Sequence, residues 1–178
     1  MPLFNSLKVN SNNILLWKIV ESQDELKNHL NLSNSLNFRL NKIKSTSQRK
    51  QFLGVQNLLK LLKIEKSELI YDSNGKPKLL NNNFISISHS FDYCGVVLSK
   101  FKVGLDIEKL RPKILTISKK FISPLELNLI KDESIENLTK VWTIKEAVFK
   151  AFGYSGIDFK ENILIESINI EFDRAKVK

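Results

Sequence analysis

Four carboxylate and amine side chains stand at spacings that suit phosphate chemistry. Gly104-Leu105-Asp106-Ile107-Glu108 separates two acids by one apolar residue. In extended backbone that spacing turns Asp106 and Glu108 to one face and Leu105 and Ile107 to the other. Two parallel carboxylates repel unless a cation lies between them. Mg²⁺ suits such a pair, because it takes oxygen ligands and commonly keeps one or two carboxylates with waters and substrate phosphates. A strand with a solvated acidic face, paired with Lys109 and Arg111, explains the same five residues without chemistry. In Val141-Trp142-Thr143-Ile144-Lys145-Glu146-Ala147-Val148-Phe149-Lys150, helical spacing sets Trp142, Glu146 and Lys150 on one stripe. There Glu146 suits a third metal ligand or a base, and Lys150 a phosphate contact. The alternative is an ordinary surface pair worth a few tenths of a kcal/mol, with Trp142 in the core. Ser88-His89-Ser90 adds hydroxyl and imidazole donors fit for a phosphate, or a simple hydrogen-bonded turn. Nucleophilic catalysis by Ser88 or Cys94 with His89 lacks both a nucleophile elbow and an orienting acid.

These residues need a frame. Ile14 to Ile19 reads as a strand and Asp24 to Leu30 as a short amphipathic helix. Capping hydroxyls at Ser45-Thr46-Ser47 precede Phe52, Val55, Leu59 and Leu62 at helical spacing, which predicts a long helix. Two extended pieces flank Ser73-Asn74-Gly75, with Pro77 holding the second at an edge. Phe84 to Ser88 and Cys94 to Leu98 read as two strands, and Val103 to Ile107 as another. Ser123-Pro124-Leu125-Glu126 is a capping box that opens a helix. Leu138 to Phe152 is the clearest helix, stopped by Gly153, and Asn162 to Phe172 alternates like one or two strands. The order is strand, helix, strands, repeated once. It predicts an α+β fold of two similar halves, a pseudo-dimer with residues 1–100 and 101–178 each forming a small, mostly antiparallel sheet on a long helix.

The bulk numbers narrow the class. With 178 residues, 42% hydrophobic and 26% charged, the chain is long enough for one large domain or two small packed halves. Cys94 is the single cysteine, which excludes an intrachain disulfide and a cysteine metal cluster and suits a reducing, cytoplasmic setting. Met1-Pro2-Leu3-Phe4-Asn5 carries no secretory signal pattern, and no apolar run reaches membrane-span length. The expectation is a soluble, monomeric protein. A formal net charge of +9 favours polyanionic or acidic partners, although a Lys- and Asn-rich composition also follows from an AT-rich genome. A metal-dependent nuclease or phosphohydrolase uses similar side chains, but its lysine commonly follows its acid by two residues on a strand. An RNA-binding domain lacks support here, because the lysines are scattered and no aromatic-basic stacking motif interrupts a strand.

Taken together, Gly75-Lys76-Pro77, Ile85-Ser86-Ile87-Ser88-His89-Ser90, Gly104 to Glu108 and Trp142 to Lys150 resemble the surfactin-type 4′-phosphopantetheinyl transferase family, from about Arg49 to Phe159. The resemblance implies two α+β halves with coenzyme A in the cleft between them. It implies Asp106, Glu108 and Glu146 as ligands of Mg²⁺ (or Mn²⁺), Lys150 as the pyrophosphate contact, and Ser88 with His89 at the 3′-phosphate end. Lys76 and Pro77 resemble the segment near the adenine, and Arg49 and Lys50 fall where members place cations for coenzyme A phosphates. The implied reaction moves the phosphopantetheine arm onto a serine of an acidic apo carrier protein, with no nucleic acid or membrane involved and adenosine 3′,5′-bisphosphate released. Glu146 is the first candidate for the general base, and Glu126, which its capping box also explains, is the second. Two features depart from the pattern: Gln56 stands where many members have Arg, and the chain ends soon after Phe172, where relatives typically add a strand.

Overall fold

The computed structural model describes residues 3–9, 12–65, 67–153 and 156–178. Strands β1 (Leu3–Val9) and β2 (Asn12–Lys18) form an antiparallel pair. Helices α1 (Gln23–Asn28), α2 (Asn34–Lys42) and α3 (Thr46–Leu61) follow, each opened by a serine whose hydroxyl accepts a backbone N–H. A small hairpin of β3 (Leu69–Tyr71) and β4 (Pro77–Leu79) encloses the Asn74-Gly75 turn. Then β5 (Phe84–Ser90) and β6 (Tyr93–Ser99) complete a four-stranded antiparallel sheet in the order β1-β2-β6-β5.

This sheet has two differently used faces. Leu15, Trp17, Ile85, Cys94 and Val96 point to α3 and bury against Leu53, Leu58 and Leu59. The fit is close at Gly54, where an added Cβ would meet Cys94 Sγ at 2.7 Å. Cys94 is fully buried, and burial pushes its thiol pKa up to about 12. The opposite face carries Gly95, paired across the ladders with Leu16 and Ser88. A Cβ on Gly95 would meet the side chains of Leu16, Ile107 and Leu105. The missing side chain makes room for the acidic segment.

The second half of the chain contains α4 (Lys113–Ile117) with a 3₁₀ turn (Ser118–Lys120), α5 (Pro124–Leu127), the long α6 (Ile135–Phe152), and the hairpin β7 (Ile165–Ile168) and β8 (Ala175–Val177). Its core gathers Ile114, Phe121, Ile122, Leu138, Val141 and Ile165, with Trp142, Phe159 and Phe172 packed against them. Phe121 meets Trp142 edge-on at 5.0 Å between centroids. Gly153 closes α6 in the left-handed region at φ 68°, as the sequence suggested. Mixed helices and antiparallel sheets confirm the α+β class.

Three expectations about elements need correction. Residues 103–107 do not form a strand: the segment lacks a backbone ladder and is held by side-chain hydroxyls instead. The alternation of Leu105 and Ile107 with polar residues correctly marks two faces, but the donors on the partner side are serines. α2 was not anticipated, because its Asn-rich sequence masks the helical spacing of Leu36 and Leu40 behind the Ser33 cap. Phe172 is not the end of the last strand, since β8 follows it and pairs with β7.

Gly104 sits against α6 so closely that an added Cβ would overlap the Ala147 carbonyl. Backbone cannot move aside as a side chain can. Gly104→Ala is expected to cost about 3 kcal/mol of folding stability, measured by urea denaturation. An unchanged midpoint would mean that the segment does not pack on α6 as described.

Candidate active site

The segment from Gly104 to Glu108 lies between the sheet and α6, and both sides hold it by its polar atoms. On the sheet side, the backbone N–H of Leu105 donates to Ser86 Oγ at 3.0 Å and that of Ile107 donates to Ser88 Oγ at 3.1 Å. On the helix side, Lys150 Nζ donates to Asp106 Oδ1 at 2.6 Å, and Trp142 Nε1 donates to Glu108 Oε1 at 3.1 Å. Ser88 also donates to Asp106 Oδ1 at 3.1 Å and accepts from Lys150 at 3.0 Å. A hydroxyl offers one donor and two acceptor positions, so Ser88 is fully engaged here. Its side chain locks the acidic segment in place.

A cleft of about 650 Å³ opens beside this segment, lined by Pro77, Ser88, His89, Asp106, Glu108, Glu146 and Lys150 among others. These are residues that the sequence had singled out. Asp106 has a side chain only 4% exposed, and its Oδ2 is buried with no hydrogen-bond partner among the described residues. An orphaned carboxylate oxygen is costly unless a cation or donor completes it. Glu146 is half-buried; burial first, and then the Asp106 charge, raise its carboxyl above the ordinary carboxylate value. His89 stands at the rim, where partial desolvation and the Lys150 charge lower its pKa and favour the neutral imidazole.

The three acids do not converge into a closed cage. Among the described residues no group of three or more acidic, His or Cys side chains is arranged to hold a metal. Glu108 is turned toward Trp142 and lies 4.0 Å from Arg111. The donor set still fits Mg²⁺, which needs one or two carboxylates when phosphates and waters supply the remaining oxygens.

Other anticipated residues lie off the cleft lining. Lys76 donates through Nζ to the Ala151 carbonyl at 2.9 Å and so ties the first half to the end of α6. Arg49 donates through Nε to the Ile43 carbonyl at 2.6 Å, and Lys50 lies near Glu25, whose carboxyl pKa is lowered first by the hydrogen bonds from Ser22 and only lastly by the lysine charge. Glu126, the second candidate for the general base, lies off the cleft lining, and its carboxylate is taken up by structural bonds. Its carboxylate is 2% exposed and receives Lys145 at 2.7 Å, Ile165 N–H at 2.9 Å and Ser123 N–H at 2.8 Å. Despite burial, those hydrogen bonds hold its pKa low. The Lys145 ammonium is fully buried and also donates to the Phe159 carbonyl at 2.8 Å.

Sequence reasoning missed Arg39, Gln48 and Tyr71, all of which line the cleft. The Arg39 guanidinium lies 4.8 Å from the Tyr71 ring centre and 5.7 Å from that of Phe52. Recognising α2 from its Ser33 cap would have put Arg39 on a helix, though not at the cleft. Gln56, noted for standing in place of an arginine, lines the cleft too. Lys145 was missed because a lysine beside Glu146 reads as a surface residue.

Residues 102–178 match the sequence profile of the 4′-phosphopantetheinyl transferase superfamily. A putative 4′-phosphopantetheinyl transferase of Synechocystis sp. is 31% identical over 114 residues, which cover 58% of this chain and 46% of that protein. The 4′-phosphopantetheinyl transferase Sfp of Bacillus subtilis is 31% identical over 98 residues, covering 51% and 44%. The 4′-phosphopantetheinyl transferase gsp of Aneurinibacillus migulanus is 28% identical over 102 residues, covering 54% and 43%. The matched stretch spans less than half the length of each relative. The family resemblance carried by the motifs is borne out.

Two outcomes follow from the geometry. Lys145→Ala leaves Glu126 buried and uncompensated and is expected to cost about 3–5 kcal/mol in denaturant unfolding; a loss below 1 kcal/mol on the same scale would contradict the buried pair. A carboxyl whose pKa is raised on folding is stabilising when protonated, and that stability is lost as pH climbs from the ordinary value of 4.5 through the raised one. At pH 7 the neutral Glu146→Gln protein, free of ligands, is therefore expected to melt about 2 °C higher than wild type. The difference is expected to vanish near pH 4, and equal melting at both pH values would refute the raised carboxyl.

Proposed function

We propose that the chain is a transferase of the surfactin-type 4′-phosphopantetheinyl transferase family, and that it moves the 4′-phosphopantetheine group of coenzyme A onto a serine of an apo acyl- or peptidyl-carrier protein. The observation that carries this reading is the cleft that unites Ser88, His89, Asp106, Glu108, Glu146 and Lys150, drawn from separate motifs. The two halves of the fold, each with its own buried cluster, support a pseudo-dimeric arrangement of residues 1–100 and 101–178.

In the proposed reaction, the carrier serine oxygen attacks the phosphorus that bears the pantetheine arm. The bond from that phosphorus to the bridging oxygen breaks, and adenosine 3′,5′-bisphosphate leaves with the electron pair. Glu146 takes the serine proton. Asp106 and Glu146, with Glu108 after release from Trp142, would hold Mg²⁺. When bound, the ion would offset negative charge on the phosphate oxygens. Lys150 contributes a point charge to the pyrophosphate. His89, neutral and at the rim, donates to the anionic end of the nucleotide. Pro77 lines the cleft where the base is expected, and Arg49, Lys50 and Lys76 are assigned to the surrounding positive field. The net charge of +9 favours approach of an acidic carrier.

The test is incubation of the protein with coenzyme A, MgCl₂ and a panel of apo carrier proteins, with the carriers weighed by mass spectrometry. Carriers are expected to gain the mass of one phosphopantetheine, and EDTA is expected to abolish the gain. Asp106→Ala and Glu146→Ala are each expected to lower kcat/KM by about 100-fold or more. No mass gain on any carrier, or variants as active as wild type, would overturn the assignment.

A further inference from the structure

Asp106 presents its two carboxylate oxygens in opposite conditions. Oδ1 accepts from Lys150 Nζ at 2.6 Å and from Ser88 at 3.1 Å. Oδ2 is buried and has no partner among the described residues. The carboxylate is thus half neutralised, by a cation that the protein itself supplies.

The two partners differ in freedom. Asp106 is fixed, because Leu105 and Ile107 on either side are bonded to Ser86 and Ser88 and Gly104 is pressed on Ala147. Lys150 rises from the last turn of α6 on a flexible four-carbon stem, and its side chain is 29% exposed toward the cleft. A second cation arriving at Asp106 meets the ammonium at short range, where the repulsion is weakly screened. The ammonium leaves Asp106 at low cost only if another anion takes it. Ser88, its other partner, already carries two further bonds and supplies no negative charge. A phosphate in the cleft supplies that charge.

We propose that Lys150 is an internal counter-cation: in the ligand-free protein it competes with a divalent metal for Asp106, and it passes to a nucleotide's phosphate when the nucleotide enters, so that metal and nucleotide bind as a coupled pair. The proposal rests on the reading of the cleft as the site of Mg²⁺ and coenzyme A. It assigns Lys150 a role before any chemistry begins. By linkage, whatever the nucleotide gains from the metal, the metal gains from the nucleotide. It also implies a result opposite to that of losing an ordinary site residue, since removing the amine improves one binding step.

The experiment measures Mn²⁺ binding to the full chain by electron paramagnetic resonance, without carrier protein, at zero and at saturating coenzyme A, with correction for Mn²⁺ held by coenzyme A in buffer. For the wild type, coenzyme A is expected to raise Mn²⁺ affinity about tenfold. Lys150→Met is expected to bind Mn²⁺ about tenfold more tightly than wild type when no nucleotide is present, and to gain less from coenzyme A. Should Lys150→Met fail to fold by circular dichroism, Lys150→Gln, which keeps a hydrogen bond but no charge, is judged by the same comparison. Mn²⁺ affinity in the nucleotide-free variant equal to or below that of wild type overturns the proposal. If that result comes from a wild-type protein that does modify carriers, the counter-cation role falls and the transferase reading stands. Absence of Mn²⁺ binding in every sample overturns both.

Discussion

The position of one short extended segment governs the rest of the structure. Residues 104–108 run between the sheet and α6 without a backbone ladder, and their hold comes from two serine hydroxyls, two glycine contacts and the side chains of Lys150 and Trp142. Each contact fixes a different coordinate. Gly95 lets Leu105 and Ile107 settle onto the sheet, and Gly104 sets their distance from α6. The serines set the register. The two acids are left on the side where α6 can reach them, and the first and second halves of the chain are joined at the place where chemistry is proposed to occur.

The use of serine in place of a ladder has an electrostatic consequence. A strand pairing would spend the backbone groups of β5 on the segment and give no contact to Asp106. Ser88 instead bonds the backbone of Ile107 and the carboxylate of Asp106 with one oxygen. Structural hold and charge placement are therefore coupled in a single hydroxyl. The buried Glu126–Lys145 pair acts differently, since it lies on the other side of α6 and joins α5, α6, the Phe159 carbonyl and β7. That pair fixes how α6 is rotated. Lys145 and Glu146 are neighbours in sequence, and one is fully buried against Glu126 while the other faces the cleft.

What the sequence made legible follows the range of the forces involved. Caps at Ser45, Ser123 and Gly153 are local chemistry and were readable as such. The acids, the helix stripe and the Ser88-His89 bend were readable as motifs, and the cleft does bring them together. Long-range choices were not readable. Nothing local tells that the amides of residues 105 and 107 find hydroxyls rather than carbonyls, that Lys76 caps α6 across the fold, or that Lys145 is buried by an acid from α5. Arg39 escaped for a simpler reason: the helix that carries it is polar, and its few leucines give a weak periodic signal.

Cys94 lies on the far side of the sheet, packed toward α3. Its sulfur is wedged between the strand and Gly54, and its pKa near 12 keeps it protonated. Thiol–disulfide exchange requires a thiolate with access to its partner, and this residue has neither. A protein proposed to hold coenzyme A works beside a free sulfhydryl at the end of the pantetheine arm, and beside whatever oxidised dimers that cofactor forms. With its single cysteine sealed, the folded chain offers no thiolate for such a sulfhydryl or disulfide to capture.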